Sequence, residues 1–281
     1  MVKNKNELYA PRQAYRFNNK TGIHSESSMV TGKNPPYGAS INYYLADSLS
    51  SNAFIYILNS KADTIQKMEG THHKGVNRIW WNLAHNDIVL PPLKTIPDNK
   101  NYIKFDSLGN RRMVIYDLDI GPGLEPIRIP PGNYTVVLKV GKEIMKQPLQ
   151  VLKDPNAYSS MSEIQAQYEF GMQLTSSMKK CLSLIDKMEI ERASLLKQNT
   201  TAATAREKQI YTIEKELFDI HLTGARMDIF RNPAKIFERL LAITKESQTM
   251  GADFPPTSQQ KLVYQELNTQ LEKLSRAYLK L

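Results

Sequence analysis

One change of hydrophobic period constrains this chain more than any motif in it. Up to Lys153-Asp154-Pro155 bulky apolar residues alternate with polar ones; beyond it they recur at spacings of three and four. Alternation writes strands with one buried face, because successive side chains point to opposite sides of a strand. The three-and-four spacing writes helices with a buried stripe. The expected class is therefore α+β: a β-sandwich over 39–153, then an antiparallel four-helix bundle over 154–281, behind an N-terminal linker at 1–38. With 281 residues, 41% hydrophobic and 23% charged, the chain suits about two domains of ordinary globular composition.

The β half is clearest at 74–83, KGVNRIWWNL, answered by 130–140, PPGNYTVVLKV. Val76, Arg78, Trp80 and Asn82 share one face of the first; Asn77, Ile79, Trp81 and Leu83 share the other, and Ile79, Trp81 and Leu83 form the better core face. In the second, Pro131-Gly132 makes the turn and Tyr134, Val136, Leu138 and Val140 lie together. Residues 53–58 are apolar on both faces, the mark of a central strand, and Ser60-Lys61-Ala62-Asp63 folds it back on 64–68 as a hairpin. Pro148 in the last strand cannot donate to a ladder and points to an edge or a bulge.

Two stretches break the pattern. Residues 1–38 are polar and turn-rich, yet Leu8, Tyr9, Tyr15 and Phe17 need something to lie against. Residues 84–128 form an excursion dense in Pro, Gly, Asn and Asp, with one short hairpin expected between 102–105 and 113–116 about a Leu108-Gly109-Asn110 turn. A loop this long inside a compact domain is uncommon unless it is functional, so ligand contacts belong here. Tyr102, Phe105 and Tyr116 are its candidate stacking platforms for a glycan.

In the α half, Ser160 or Ser162 caps a helix carrying Ile164, Gln167, Gly171, Leu174, Met178, Cys181, Ile185 and Met188 at helical spacing. A second carries Ile210, Ile213, Leu217 and Ile220. Pro233 opens a third, which Gly251 ends; Leu267, Leu271, Leu274, Tyr278 and Leu281 mark the fourth, after Pro255-Pro256. These stripes read as core.

Chemical motifs are sparse. His72-His73 would point to opposite sides of a strand and reads as exposed turn histidines rather than a metal pair. His85 with Asp87 forms a loop pair lacking a third group, and Asp117 with Asp119 lacks the remaining ligands of a calcium loop. Glu189 with Glu191, and Glu214 with Glu216, sit two apart on helices and read as solvated faces. Cys181, the single cysteine, reads as a small core residue. No catalytic residue, metal ligand or cofactor is assigned. The net charge of +9 is spread among acids rather than clustered, which speaks against nucleic acid, and no apolar run approaches a membrane span. The N-terminal MVKNKNELYAP has no apolar core of an export signal.

NPPYGASINYYL at 34–45, AFIYILNSKADTIQKM at 53–68, KGVNRIWWNL and IPPGNYTVVLKVGKEIMKQPLQVLKDPN at 129–156 together resemble the C-terminal part of bacterial sortilin-type, BNR-repeat proteins, often labelled glycosyl hydrolases. GADFPPTSQQKLVYQELNTQLEKL resembles that family's closing helix, and LYAPRQAYRF the segment leaving its β-propeller. Where the family usually has Trp-Asp-Leu, this chain has Trp81-Asn82-Leu83, one carboxylate fewer. The resemblance implies an Ig-like, fibronectin type III-like sandwich with a helical tail, without the propeller that would hold any hydrolytic funnel. It implies a non-catalytic accessory module docking on a propeller, of the same parent or a separate chain, through Leu8, Tyr9, Arg12, Tyr15 and Arg16, and an exported parent. The rival expectation is a carbohydrate-binding or hydrolytic role for 84–128; a third is a homo-oligomer held by the N-terminal segment.

Overall fold

A computed structural model describes residues 5–17, 35–97, 102–113, 123–219, 233–249 and 253–281. The fold is mixed α and β, with two sheets of three and five strands and four helices among the described residues. The strands are β1 (Glu7–Leu8), β2 (Ala14–Arg16), β3 (Ala39–Leu45), β4 (Ala53–Leu58), β5 (Thr64–Gly70), β6 (Gly75–Trp81), β7 (Gly132–Val140) and β8 (Glu143–Lys153). The helices are α1 (Met161–Leu196), α2 (Thr201–Leu217), α3 (Ile236–Thr249) and α4 (Ser258–Leu279). The chain divides into two compact units: 1–86, 126–168 and 248–255 form the first, and 87–125, 169–247 and 256–281 the second.

In the first unit the sheet orders are β1-β3-β6 and β2-β8-β7-β4-β5, antiparallel except for the parallel pair β2–β8. The alternation in the sequence sets the faces: Ala53, Ile55 and Ile57 of β4 and Tyr134, Val136, Leu138 and Val140 of β7 are buried, as are Asn77 and Trp81 of β6. All but Asn77 join Ile41, Tyr43 and Leu45 of β3 in one apolar cluster. β4 lies inside its sheet, between β7 and β5, as its two apolar faces require. Asn77 stays buried because its amide donates to the His73 and Gly75 carbonyls and its oxygen accepts from Thr71 Oγ1.

Three expectations need correction. Strand β8 is not an edge strand, yet β2 covers only Val151–Lys153 of it, so Pro148 lies beyond the ladder on that side. Residues 102–105 are not a strand: the Asp106–Asn110 turn forms, held by Asp106 Oδ1 accepting from Leu108 N and Asn110 N at 2.9 Å each, but Arg111 bridges Leu93 instead. Pro233 does not open α3, which begins at Ile236, where Glu238 Oε2 accepts from the Lys235 N–H. The other caps follow sequence chemistry. Ser160 and Glu163 bond reciprocally before α1, and Thr257 with Gln260 forms a capping box before α4. Ile220, Gly251, Tyr116, Asp117 and Asp119 lie outside the described residues.

The N-terminal segment contributes to the first unit's own fabric. Leu8 is buried in its core, Tyr9 is half-buried, Arg12 and Tyr15 are exposed, and Arg16 is buried against Asp253 Oδ2 at 2.6 Å. In the second unit the helical stripes meet in one core that includes Leu174, Met178, Ile185, Ile210, Phe237, Leu240, Leu267 and Leu271, with Leu93 and Met113 from the excursion.

Candidate functional site

The second unit places its polar chemistry where the excursion meets α1 and α2. Helix α1 is apolar along Met178, Cys181, Ile185 and Met188; one turn further the same stripe presents Glu189 and Arg192. Glu189 is 0% exposed and acts as a clamp on the excursion's backbone. Its Oε2 accepts from Lys94 N at 2.5 Å and Thr95 N at 2.7 Å, and its Oε1 from Thr95 Oγ1 at 2.8 Å. The Leu93–Arg111 bridge, with N–H to O distances of 2.9 and 2.8 Å, and Arg111 Nε donating to Thr95 O at 2.6 Å fix the same strip from its other side.

Arg192 extends the network into α2. It donates from Nη1 to Glu214 Oε2 at 2.7 Å and from Nε to Glu207 Oε1 at 2.8 Å, and its guanidinium lies 4.9 Å from the Tyr211 ring centre. Glu214 is also 0% exposed, and its Oε1 receives no N–H or hydroxyl bond among the described residues. What faces it is the Glu189 carboxyl group. Burial first, and the Glu189 charge second, push Glu214 up to about 8 against the opposing pull of Arg192. Both effects favour the neutral, protonated form of Glu214.

The charges then balance. Three carboxyl groups (Glu189, Glu207, Glu214) face two guanidiniums (Arg111, Arg192), and a proton on Glu214 makes the cluster neutral. Burial lowers Arg111; it would lower Arg192 too, but Glu214 and Glu207 outweigh it. Such a cluster anchors a backbone well, because each removed partner would leave a buried charge uncompensated.

Above this network lies an open groove of about 750 Å³. Its walls are Lys94, Thr95, Ile96, Phe105, Leu108 and Gly109 from the excursion, Arg192, Ala193, Leu196 and Lys197 from α1, and Glu207, Lys208 and Tyr211 from α2. Glu189 and Glu214 do not line it, so they shape the groove without touching an occupant. A second hollow of about 580 Å³ is lined by α4 residues from Asn268 to Ala277 and by Lys280 just beyond its end.

The candidate stacking platforms separate. Phe105 stands in the groove wall, Tyr102 is 64% exposed and is not among the wall residues, and Tyr116 lies outside the described residues. Glu189 and Glu214 are not on solvated faces; each points inward while its neighbour two positions on points out, Glu191 to Arg206 and Tyr278, and Glu216 to Lys235. His72 and His73 follow β5 on a turn rather than occupying a strand, so their rings come 4.8 Å apart, with His72 Nδ1 3.1 Å from Asn52 Oδ1. His85 Nε2 meets Tyr168 Oη at 2.8 Å, and Asp87 is exposed. Cys181 is buried in the core, and its thiol is pushed up by burial. Among the described residues no group of three or more His, Cys, Asp or Glu side chains is placed to hold a metal ion, and no helix is long and apolar enough to cross a membrane.

Set against family models and against curated proteins, the chain matches none of either.

Proposed function

We propose that this chain is an accessory module that docks a protein partner through the groove of the second unit. In this reading its two sheets are the layers of an Ig-like sandwich, its helices an antiparallel bundle, and the whole corresponds to the C-terminal region of an exported sortilin-type propeller protein. The observation that carries it is the backbone clamp: Glu189 takes three donors from Lys94 and Thr95, holding one wall of an open groove in place before any occupant arrives. A preformed wall lowers the ordering cost of binding. The acid groups nearest the groove are engaged with arginines or with one another, which suits positioning rather than proton transfer to a substrate.

Titration calorimetry of the purified chain against a recombinant sortilin-type β-propeller tests this. Binding that is lost in L108S supports the reading; an affinity unchanged by groove substitutions overturns the groove as the docking face. Turnover of aryl glycosides that disappears in E207Q would overturn the non-catalytic part. A second reading, glycan binding, is favoured by Phe105 alone, an aromatic ring exposed in the wall. It requires glycan-array signal that vanishes in F105A; signal that also needs Tyr102 would place the sugar outside the groove.

A further inference from the structure

Taking the groove as a docking face, we propose that its occupant is an acidic segment of the partner protein in which carboxylates alternate with large apolar side chains. Of the cationic groups in the wall, Arg192 is matched by Glu207, the one wall carboxylate among the described residues. Three ammonium groups remain. Lys94 Nζ rests on the neutral Asn110 Oδ1 at 2.7 Å, while Lys197 and Lys208 are exposed with no counter-charge among the described residues. The wall therefore carries a surplus of positive charge that its own cluster does not cancel.

Between the lysines the wall is apolar. Ile96 is 44% exposed and Leu108 80%, and Phe105 stands beside them. Leu108 is not on a slack loop: Asp106 Oδ1 bonds its N–H and that of Asn110, and Gly109 N returns to Asp106 O at 3.0 Å. A fixed, exposed leucine beside uncompensated ammonium groups calls for a partner that supplies both apolar area and negative charge. Nucleic acid supplies charge but stacks successive bases on several rings, and the described wall offers Phe105 alone, since the Tyr211 face is already covered by Arg192. A neutral glycan would leave the lysines unmatched.

The test uses the full chain and fluorescence anisotropy with four labelled probes: a short alternating Glu-Leu peptide, its Gln-Leu counterpart, an oligoglutamate, and single-stranded DNA of equal charge. The Glu-Leu peptide should bind at least about tenfold more tightly than the other three. K197E/K208E should weaken it by about tenfold or more, L108S by a similar factor, and K139E/K142E, exposed lysines of the first unit, not at all. Circular dichroism checks that each variant keeps its helix content. Equal binding of oligoglutamate or DNA would show attraction by charge alone and overturn the proposal. So would indifference to K197E/K208E, or no binding by any probe. Tighter binding of the Gln-Leu peptide, lost in L108S, would overturn the acidic occupant while leaving groove docking intact.

Discussion

Replacing Glu214 by Gln isolates the buried proton. Folding pushes Glu214 from its ordinary 4.5 up to about 8, which corresponds to about 5 kcal/mol at most. Its sign follows from proton counting. The folded protein keeps a proton that the unfolded chain releases near pH 4.5, so the native state binds more protons between 4.5 and 8. The associated stability is fully present below the lower value, falls as pH rises across the window, and levels off above the upper one. Gln is neutral throughout, still offers an oxygen to Arg192 Nη1, and removes this component. Urea unfolding followed by the far-ultraviolet helical signal should show E214Q gaining about 3 kcal/mol on the parent chain between pH 5 and pH 8. Glu238, raised chiefly by burial, titrates in both proteins and cancels in the difference. A difference that stays constant across the window would mean that Glu214 is ionised in the folded state and that the charge balance drawn around Arg192 is wrong.

Other substitutions probe the elements that build the groove and its neighbours. R192M strips Glu207 and Glu214 of their cation and should cost about 3–5 kcal/mol, read as a drop in thermal midpoint at pH 7. T95V leaves one oxygen of Glu189 without its hydroxyl donor and should cost about 1–3 kcal/mol; its signature is faster amide exchange at Lys94. In the first unit Gly38 has φ +119° and a Cβ there would lie 1.9 Å from the Trp81 carbonyl oxygen, so G38A should destabilise by more than about 2 kcal/mol, followed by tryptophan fluorescence. L271A, at a 0% exposed position of α4, should cost about 2–5 kcal/mol; a loss below about 1 kcal/mol would mean that this helix is not part of the core.

The strands were legible because alternation and burial are the same fact seen twice: Ala53, Ile55 and Ile57, or Tyr134, Val136 and Leu138, can share a core only if the chain is extended. A helix start was legible where a side chain closes the first turn, as Ser160 does before α1; the Thr257–Gln260 capping box before α4 has the same chemistry but emerges only in the structure. A start was misplaced where the signal was steric only: Pro233 tolerates a first helical turn without imposing one, and the turn instead begins where Glu238 can reach back to the Lys235 N–H. The expected hairpin after Tyr102 failed for a related reason. The Asp106–Asn110 turn is local and forms, but Arg111 pairs with Leu93, two residues before Thr95, whose carbonyl accepts from the Arg111 guanidinium.

The buried cluster was written in the sequence and read the wrong way. Spacing two apart shows that Glu189 and Glu191 diverge, and likewise Glu214 and Glu216, but divergence says nothing about which member faces inward. Phase decides it: Glu189 stands four residues after Ile185, Arg192 four after Met188, and Glu214 four after Ile210 and three before Leu217, all on the apolar stripes of α1 and α2. Three charged residues in core phase on two helices are costly unless they meet, and the balance of charges then says what else must join them. Two carboxylates and one guanidinium leave an excess negative charge; Glu207 adds another, and the remedy is one further cation and one proton. Arg111 supplies the first from the excursion, and Glu214 takes the second. The helices therefore require the excursion as much as it requires them, which is why a stretch with no period of its own still presents a fixed wall to the groove.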